Sequence, residues 1–326
     1  MKFYSLHIGL NAVDPGHYQG WDGQLNACEA DARSLQQLVL SLADARRIVP
    51  KVSYKTDLLL TKQATRAAVL ERLAYYAQLC QPGDLFLLTY SGHGGQVPDL
   101  NGDEPDSLDE TWALFDAQVI DDELYLAYSR FAAGVRVLIL SDSCHSGSVN
   151  KATHYVSKSP ADYLGDNQVN YQHNYKQGRV VASSYRNVPI PVVQQTFNAN
   201  RAYYEDIMRT LVVGEGAARV AHRTNVLASV RLISGCADNQ LSQDGIFNGL
   251  FTGVVLKVWN GGAFKGDYNA FHKAILAKMP PDQSPLHSVI GTADAAYDQT
   301  IPFTGMPAQF PPRHRNLITQ VAPANA

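Results

Sequence analysis

Nowhere in the 326 residues does an unbroken apolar run approach the length of about 18 that a bilayer demands, so no membrane-spanning helix is expected. Cysteine is scarce. Cys28, Cys80, Cys144 and Cys236 stand far apart without a CxxC spacing, which argues against a zinc site or a disulfide framework and leaves reduced thiols as the expectation. Charge of one sign is not in excess either. Lys and Arg number 27, Asp and Glu 30, and the formal charge is -3, so neither nucleic acid nor an anionic membrane is expected as a partner. The opening MKFYSLHIGL lacks the long apolar core of an export signal and reads as a strand, which with the free thiols predicts a cytoplasmic chain. With a first strand at about residue 3, no preceding prodomain is expected. No internal repeat is visible. What is present is ordinary for a globular chain able to bury a large core: 45% hydrophobic and 17% charged residues.

Residues 3–10 (FYSLHIGL) read as a buried strand. Helical spacing of apolar residues follows from Leu25 to Leu42 and again from about Gln63 to Leu79. Asp84–Tyr90 (DLFLLTY) and Val135–Ser141 (VRVLILS) are continuous apolar runs of strand length, as sheets covered on both faces require. Between them lie an acidic loop at 99–110, a short strand around Trp112–Phe115 and a helix opening at Asp121 and Asp122. Residues 150–229 break this rhythm; they read as an insertion or mobile connection with a helix near Asn200–Val212. Arg231–Ser234 resumes a strand, Phe247–Trp259 and Tyr268–Lys278 read as helices, and 303–326 form a Pro-rich tail. Strands alternating with helices predict an α/β fold with a mostly parallel central sheet and helices on both faces. The expected organisation is one domain over 1–302, made of 1–149, the connection 150–229, and 230–302.

Two segments carry chemistry, and each directly follows a predicted buried strand: Tyr90-Ser91-Gly92-His93-Gly94-Gly95 and Asp142-Ser143-Cys144-His145-Ser146-Gly147. Ligands of open parallel sheets bind beyond the carboxyl ends of the strands, where such loops gather. A thiol on one loop and an imidazole on its neighbour are the parts of a nucleophile and its general base, assigned to Cys144 and His93. The backbone amides of Gly94 and Cys144 are the candidate donors to a developing oxyanion. Asp142 lies two residues before Cys144, on the same face of the strand, and so beside any substrate. The sequence names no third residue to orient His93.

These motifs resemble the metacaspases and orthocaspases, members of the caspase-like cysteine peptidases. The resemblance is carried by YSGHGGQ at Tyr90–Gln96, GDE-x-D at Gly102–Asp106, DDEL at Asp121–Leu124, D-x-CHSG at Asp142–Gly147 and ISGC-x-DNQ-x-S at Ile233–Ser242, with 51 residues separating His93 from Cys144. It implies a caspase-like fold and a Cys/His dyad without a cofactor in the chemistry. It also implies a monomer that cleaves protein or peptide substrates after Arg or Lys through a thioester and processes itself within 150–229. Caspases carry Gln where this chain has Asp142, and cut after Asp. A second pocket acid of metacaspases maps to Asp31 through the partial match of Leu25–Ala32, from which Ala27 and Ala30 depart. The calcium site of metacaspases maps to Asp109, Asp121 and Asp122, but Lys151 stands at the fourth acidic position, so activity without calcium is expected. Cys28, Cys80 and Cys236 read as core residues, and His145 as a packing residue of its loop. Two other readings use the same residues: a non-catalytic caspase-like module, against which the intact pair argues, and an acyl-transfer ligase.

Overall fold

The computed structural model describes residues 1–44, 52–99, 108–144, 185–211, 226–237, 240–245 and 247–308. Its nine strands there are β1 (Lys2–Gly9), β2 (Ser53–Leu60), β3 (Leu85–Ser91), β4 (Gly94–Pro98), β5 (Leu108–Ala113), β6 (Gln118–Ile120), β7 (Arg136–Asp142), β8 (Ser229–Ser234) and β9 (Leu286–Gly291). The helices are α1 (Cys28–Asp44), α2 (Arg66–Leu79), α3 (Asp121–Ser129), α4 (Ile190–Ala199), α5 (Arg201–Leu211), α6 (Leu250–Trp259), α7 (Tyr268–Leu276) and the single turn α8 (Ala295–Asp298).

Six strands form the central sheet in the order β2-β1-β3-β7-β8-β9, and β4-β5-β6 form a separate antiparallel meander. All central pairs are parallel except β8 with β9. The α/β expectation therefore holds, with an antiparallel edge added.

Alternation along the strands divides the core into two layers. Phe86 and Leu88 of β3, with Val137 and Ile139 of β7, face a layer containing Val69, Leu73 and Tyr76 of α2 and Leu124 and Tyr128 of α3. Leu85 and Leu87, with Leu138 and Leu140, face the opposite layer, built from Leu35, Leu38 and Val39 of α1, Phe251 and Val255 of α6, and Phe271 and Ile275 of α7. Burial on both faces explains why β3 and β7 read as unbroken apolar runs. The edge strands differ: β2 is only half buried and β9 is largely exposed.

The expected elements fall close to their places. The helix read from Leu25 begins at Cys28, the strand read around Trp112–Phe115 spans Leu108–Ala113, and the helix read from Phe247 waits until Leu250. One expectation needs correction. Residues 185–211 are not a loose connection: Val188 packs with Val13, Tyr18 and Ala113, while Phe197 of α4 and Tyr204, Ile207, Met208 and Leu211 of α5 pack on Val97 and Ile120. The rest of that region, up to residue 184 and from 212 to 225, lies outside the described residues.

Candidate active site

Four neighbouring parallel strands end at one edge of the sheet, and the residues that follow each supply part of one site. His93 follows β3, and Cys144 follows β7, the strand paired with β3 up to Ser91 and Asp142. Trp21, Gly23, Asn26 and Ala27 follow β1, and Ser242, Asp244, Asn248 and Gly249 follow β8. Chain order scatters these residues; strand order gathers them.

His93 is buried, and its Nε2 bonds the Gly23 carbonyl oxygen at 3.1 Å. The Trp21 ring lies 4.7 Å from the imidazole, centre to centre. The backbone is fixed by its carbonyl, which accepts from the Tyr90 hydroxyl at 2.7 Å and from the Ala113 amide at 2.9 Å. Among the described residues Nδ1 has no hydrogen-bond partner of normal geometry, and the Asn187 backbone lies near the ring. Burial lowers the His93 pKa to about 4, opposed by the Gly23 carbonyl, so at neutral pH the ring is an uncharged base. The orienting group that the sequence did not name is thus a main-chain carbonyl.

Cys144 is fully buried, and its Sγ accepts the Ser242 amide at 2.7 Å. Gly94 approaches it so closely that a Cβ there would lie 1.8 Å from the Cys144 carbonyl oxygen, so only glycine fits. The amides of Gly94 and Cys144 converge on a single acceptor. Both donate to the backbone carbonyl of Arg186, at 2.9 and 3.1 Å.

The side chain of that same Arg186 fills the adjoining pocket and is fully buried. Its Nη1 lies 2.8 Å from Asp142 Oδ2 and 2.9 Å from Ser91 Oγ; its Nη2 lies 2.7 Å from Asp31 Oδ2 and 2.9 Å from Asp244 Oδ1. A buried ion pair is tolerable only where the remaining lone pairs are satisfied. Here they are. Asp31 Oδ1 accepts from Asn248 Nδ2 at 2.8 Å and from the Gly249 amide at 2.9 Å. Asp142 accepts from Ser242 Oγ at 2.7 Å, Thr252 Oγ1 at 2.7 Å and the Thr252 amide at 3.1 Å. Asp244 Oδ2 accepts the Asn26 amide at 2.7 Å. Burial raises the Asp31 pKa to about 6, with Arg186 opposing the rise and Asp142 adding to it. Burial alone would lower the Arg186 pKa, but Asp142, Asp31 and Asp244 outweigh it and hold the guanidinium charged. The pocket floor also needs a glycine, since a Cβ on Gly249 would meet Arg186 Nη2 at 2.4 Å.

His93, Cys144, Gly94, Asp31 and Asp142 are therefore brought together. Asp244, Ser242 and Arg186 join them without having been singled out as site residues. Asp244 lies two residues beyond the ISGC-x-DNQ-x-S stretch, the one sequence signal that pointed toward it.

The acids of the expected calcium site lie on other elements. Asp109 sits on β5, and Asp121 and Asp122 open α3. Among the described residues no group of three or more His, Cys, Asp or Glu is placed to hold a metal ion. Asp109, Asp121 and Asp122 are part of no such group there. Lys151, the 102–106 loop and His145–Gly147 lie outside the described residues. Cys28, Cys80 and Cys236 are all buried thiols, and burial pushes Cys80 up to about 12 and Cys28 well upward. Burial of this kind disfavours the thiolate, the reactive form of the group.

Residues 5–152 match the family described as metacaspase, peptidase C14 domain. Metacaspase-1 of Schizosaccharomyces pombe is 30% identical over 271 residues, covering 78% of this chain and 58% of that protein. Metacaspase-1 of Saccharomyces cerevisiae is 30% identical over 271 residues, covering 77% and 56%. The chain thus spans less than two thirds of the length of these curated relatives. A crystal structure of a Geobacter sulfurreducens protein is 45% identical, with a TM-score of 0.74, covering 94% of this chain and 100% of that one.

Proposed function

The chain belongs to the metacaspase family, and from that premise we propose that it is a cysteine endopeptidase cleaving after Arg, more slowly after Lys, and capable of processing itself. The observation that carries the specificity is the buried guanidinium of Arg186 among Asp31, Asp142 and Asp244, while its carbonyl takes the two amides beside the thiol. An Arg in that pocket brings its own carbonyl to the nucleophile. Lys offers a single ammonium in place of a planar fork, and cannot bond Asp142 from one nitrogen and Asp31 with Asp244 from the other. An acidic residue would face three carboxylates.

The residues then divide the work as follows. Neutral His93 takes the Cys144 proton, and the thiolate adds to the carbonyl carbon. The oxyanion gathers the Gly94 and Cys144 amides, which already converge on one point and need no reorganisation. The imidazolium protonates the leaving amine, and a thioester remains. Water, deprotonated by His93, hydrolyses it and restores the thiol. Gly23 is the positioning group that holds the ring by Nε2. A monomeric enzyme in a reducing, cytoplasmic setting is the accompanying expectation.

The test is fluorophore release from short peptides ending in Arg, Lys or Asp, by the chain and by Cys144→Ala. The proposal expects Arg and Lys peptides to be cut, Asp peptides to be untouched, and Cys144→Ala to lose essentially all turnover. Retained turnover in Cys144→Ala contradicts it.

A further inference from the structure

We propose that Gln283 is a positioning residue for peptide cleavage. Its carboxamide reaches in from the loop between α7 and β9 and fixes the Ser242–Asp244 segment, which serves the thiol, the substrate main chain and the acidic pocket together. The role rests on the peptidase reading above and deepens it by a residue that acts through others.

Ser242 serves the site with three different atoms. Its amide donates to Cys144 Sγ at 2.7 Å, and its hydroxyl donates to Asp142 Oδ1 at 2.7 Å. Its carbonyl accepts the amide of Arg186, the residue seated in the pocket, at 3.0 Å. Two residues on, Asp244 Oδ1 reaches the same guanidinium. Yet the segment belongs to no strand of the central sheet or of the meander, so no ladder of hydrogen bonds sets its place above the strand ends. A shift of this one stretch disturbs the thiol, the main-chain contact and two pocket acids at once, and small misplacements of reacting groups are costly.

Gln283 supplies what the ladder does not. Its side chain is fully buried. Oε1 accepts the Gln243 amide at 3.1 Å, while Nε2 donates to the Gly235 carbonyl at 3.0 Å and to Ser242 Oγ at 2.9 Å. These partners decide which end of the carboxamide is which, since a flip would set donor against donor and acceptor against acceptor. Gly235 is the fixed side: its amide donates at 2.7 Å to the carbonyl of Ser141, the residue before Asp142 on β7. Ser242 and Gln243 are the placed side. The carboxamide therefore refers the substrate-bearing segment to the frame of the central sheet. It also directs the Ser242 hydroxyl. With a lone pair of Oγ taken by Nε2, the hydroxyl hydrogen is left for Asp142 and holds that carboxylate in the pocket. The Gln283 loop is gripped in return, because Gln240 Nε2 donates to the Pro281 carbonyl and to Ser284 Oγ, each at 3.3 Å. An apolar side chain of equal length would leave the Gln243 amide and the Gly235 carbonyl buried without these partners.

The experiment is steady-state kinetics on Arg peptides, with a thermal melt of each chain, for wild type, Cys144→Ala, Gln283→Met, Gln283→Glu, Ser242→Ala and the double variant Gln283→Met with Ser242→Ala. Gln283→Met keeps the length and loses all three bonds, so KM should rise about tenfold. The fall in kcat should be smaller, since the groups that Gln283 places hold the substrate residue before and during the reaction alike. A merely structural role predicts the opposite split: fewer folded molecules lower kcat at an unchanged KM. Gln283→Glu keeps the acceptor for the Gln243 amide, and with it the fold, but cannot donate to both Gly235 and Ser242. Its KM should rise by about threefold or more. The double variant should fall short of the product of the two single effects on KM, because both pass through the same hydroxyl. Folded Gln283 variants with KM within about twofold of wild type overturn the role, as do single effects of Gln283→Met and Ser242→Ala that simply multiply. A wild type that cuts basic peptides no better than Cys144→Ala refutes the peptidase reading and the role with it, whereas the other contrary outcomes refute the role alone.

Discussion

The chain holds two groups of three aspartates, only one of them complete in the sequence reading, and the fold treats them differently. Asp31, Asp142 and Asp244 come from three distant places and end within 3 Å of one guanidinium. Asp109, Asp121 and Asp122 lie within a short stretch of chain and form no metal-holding group among the described residues. What differs is the scaffold. Asp142 ends a central strand, Asp31 lies in the first turn of a helix on the same face, and Asp244 follows the neighbouring strand β8. Each also accepts amide or hydroxyl donors that fix its direction. Nearness in sequence matters less than convergence held by such donors.

The comparison breaks most sharply at Asp142. Asp142→Asn leaves a guanidinium desolvated without its closest partner on Nη1, a loss on the order of 3–5 kcal/mol for a broken buried pair. At about 1.4 kcal/mol per tenfold, kcat/KM for Arg peptides should fall roughly 10²- to 10³-fold. Steady-state kinetics on paired Arg and Lys peptides measure it, and a loss under tenfold would mean that this acid does not face the substrate.

Asp244→Asn should do less, because Asp31 still bonds the same Nη2. A fall of about tenfold for Arg peptides, with a smaller change for Lys, is expected from the loss of one charge-assisted bond. The ratio of the two kcat/KM values is the readout. Equal losses for both would show that Asp244 acts only through general electrostatics.

The pH dependence tests Asp31. Burial places its pKa near 6, above the ordinary carboxylate value. Protonation as pH falls through 6 removes a negative charge from the pocket, so KM for Arg peptides should rise between pH 7 and 5. Above pH 7 the carboxylate is ionised and KM should level off. Asp31→Asn should raise KM at neutral pH and remove this acidic arm, a change that a purely structural role would not produce.

The second group should give the smallest effect. Because no group of three or more metal-ligating side chains assembles among the described residues, turnover in EGTA and in millimolar calcium should agree within about twofold. A large stimulation by calcium would show that these acids are drawn together on binding, and would erase the contrast between the two groups.

Much of this was legible in the sequence, for definite reasons. β3 and β7 are buried on both faces, so their runs are continuous and their ends mark the loops that carry His93 and Cys144. Asp142 is tied to Cys144 by strand parity. The edge strands β2 and β9 were not legible, since Lys55, Asp57, His287 and Ser288 interrupt their apolar pattern where solvent allows it. Asp244 was hidden because strand order, not chain order, brings β8 beside β7. Gly23 orients the base through a carbonyl, and a backbone group leaves no side-chain trace. Arg186 is one of several basic residues in an irregular stretch; only the meeting of its two ends with the pocket and the amides distinguishes it.

The central claim is that the pocket closed by Asp31, Asp142 and Asp244 selects a basic residue for the thiol of Cys144. The most direct measurement is a cleavage profile of Arg186→Ala, whose pocket is vacated, on a peptide library varied at the residue before the cut. Cleavage after Arg, then Lys, and none after Asp is the predicted result; a preference for Asp, or no preference for a basic residue, would contradict the account.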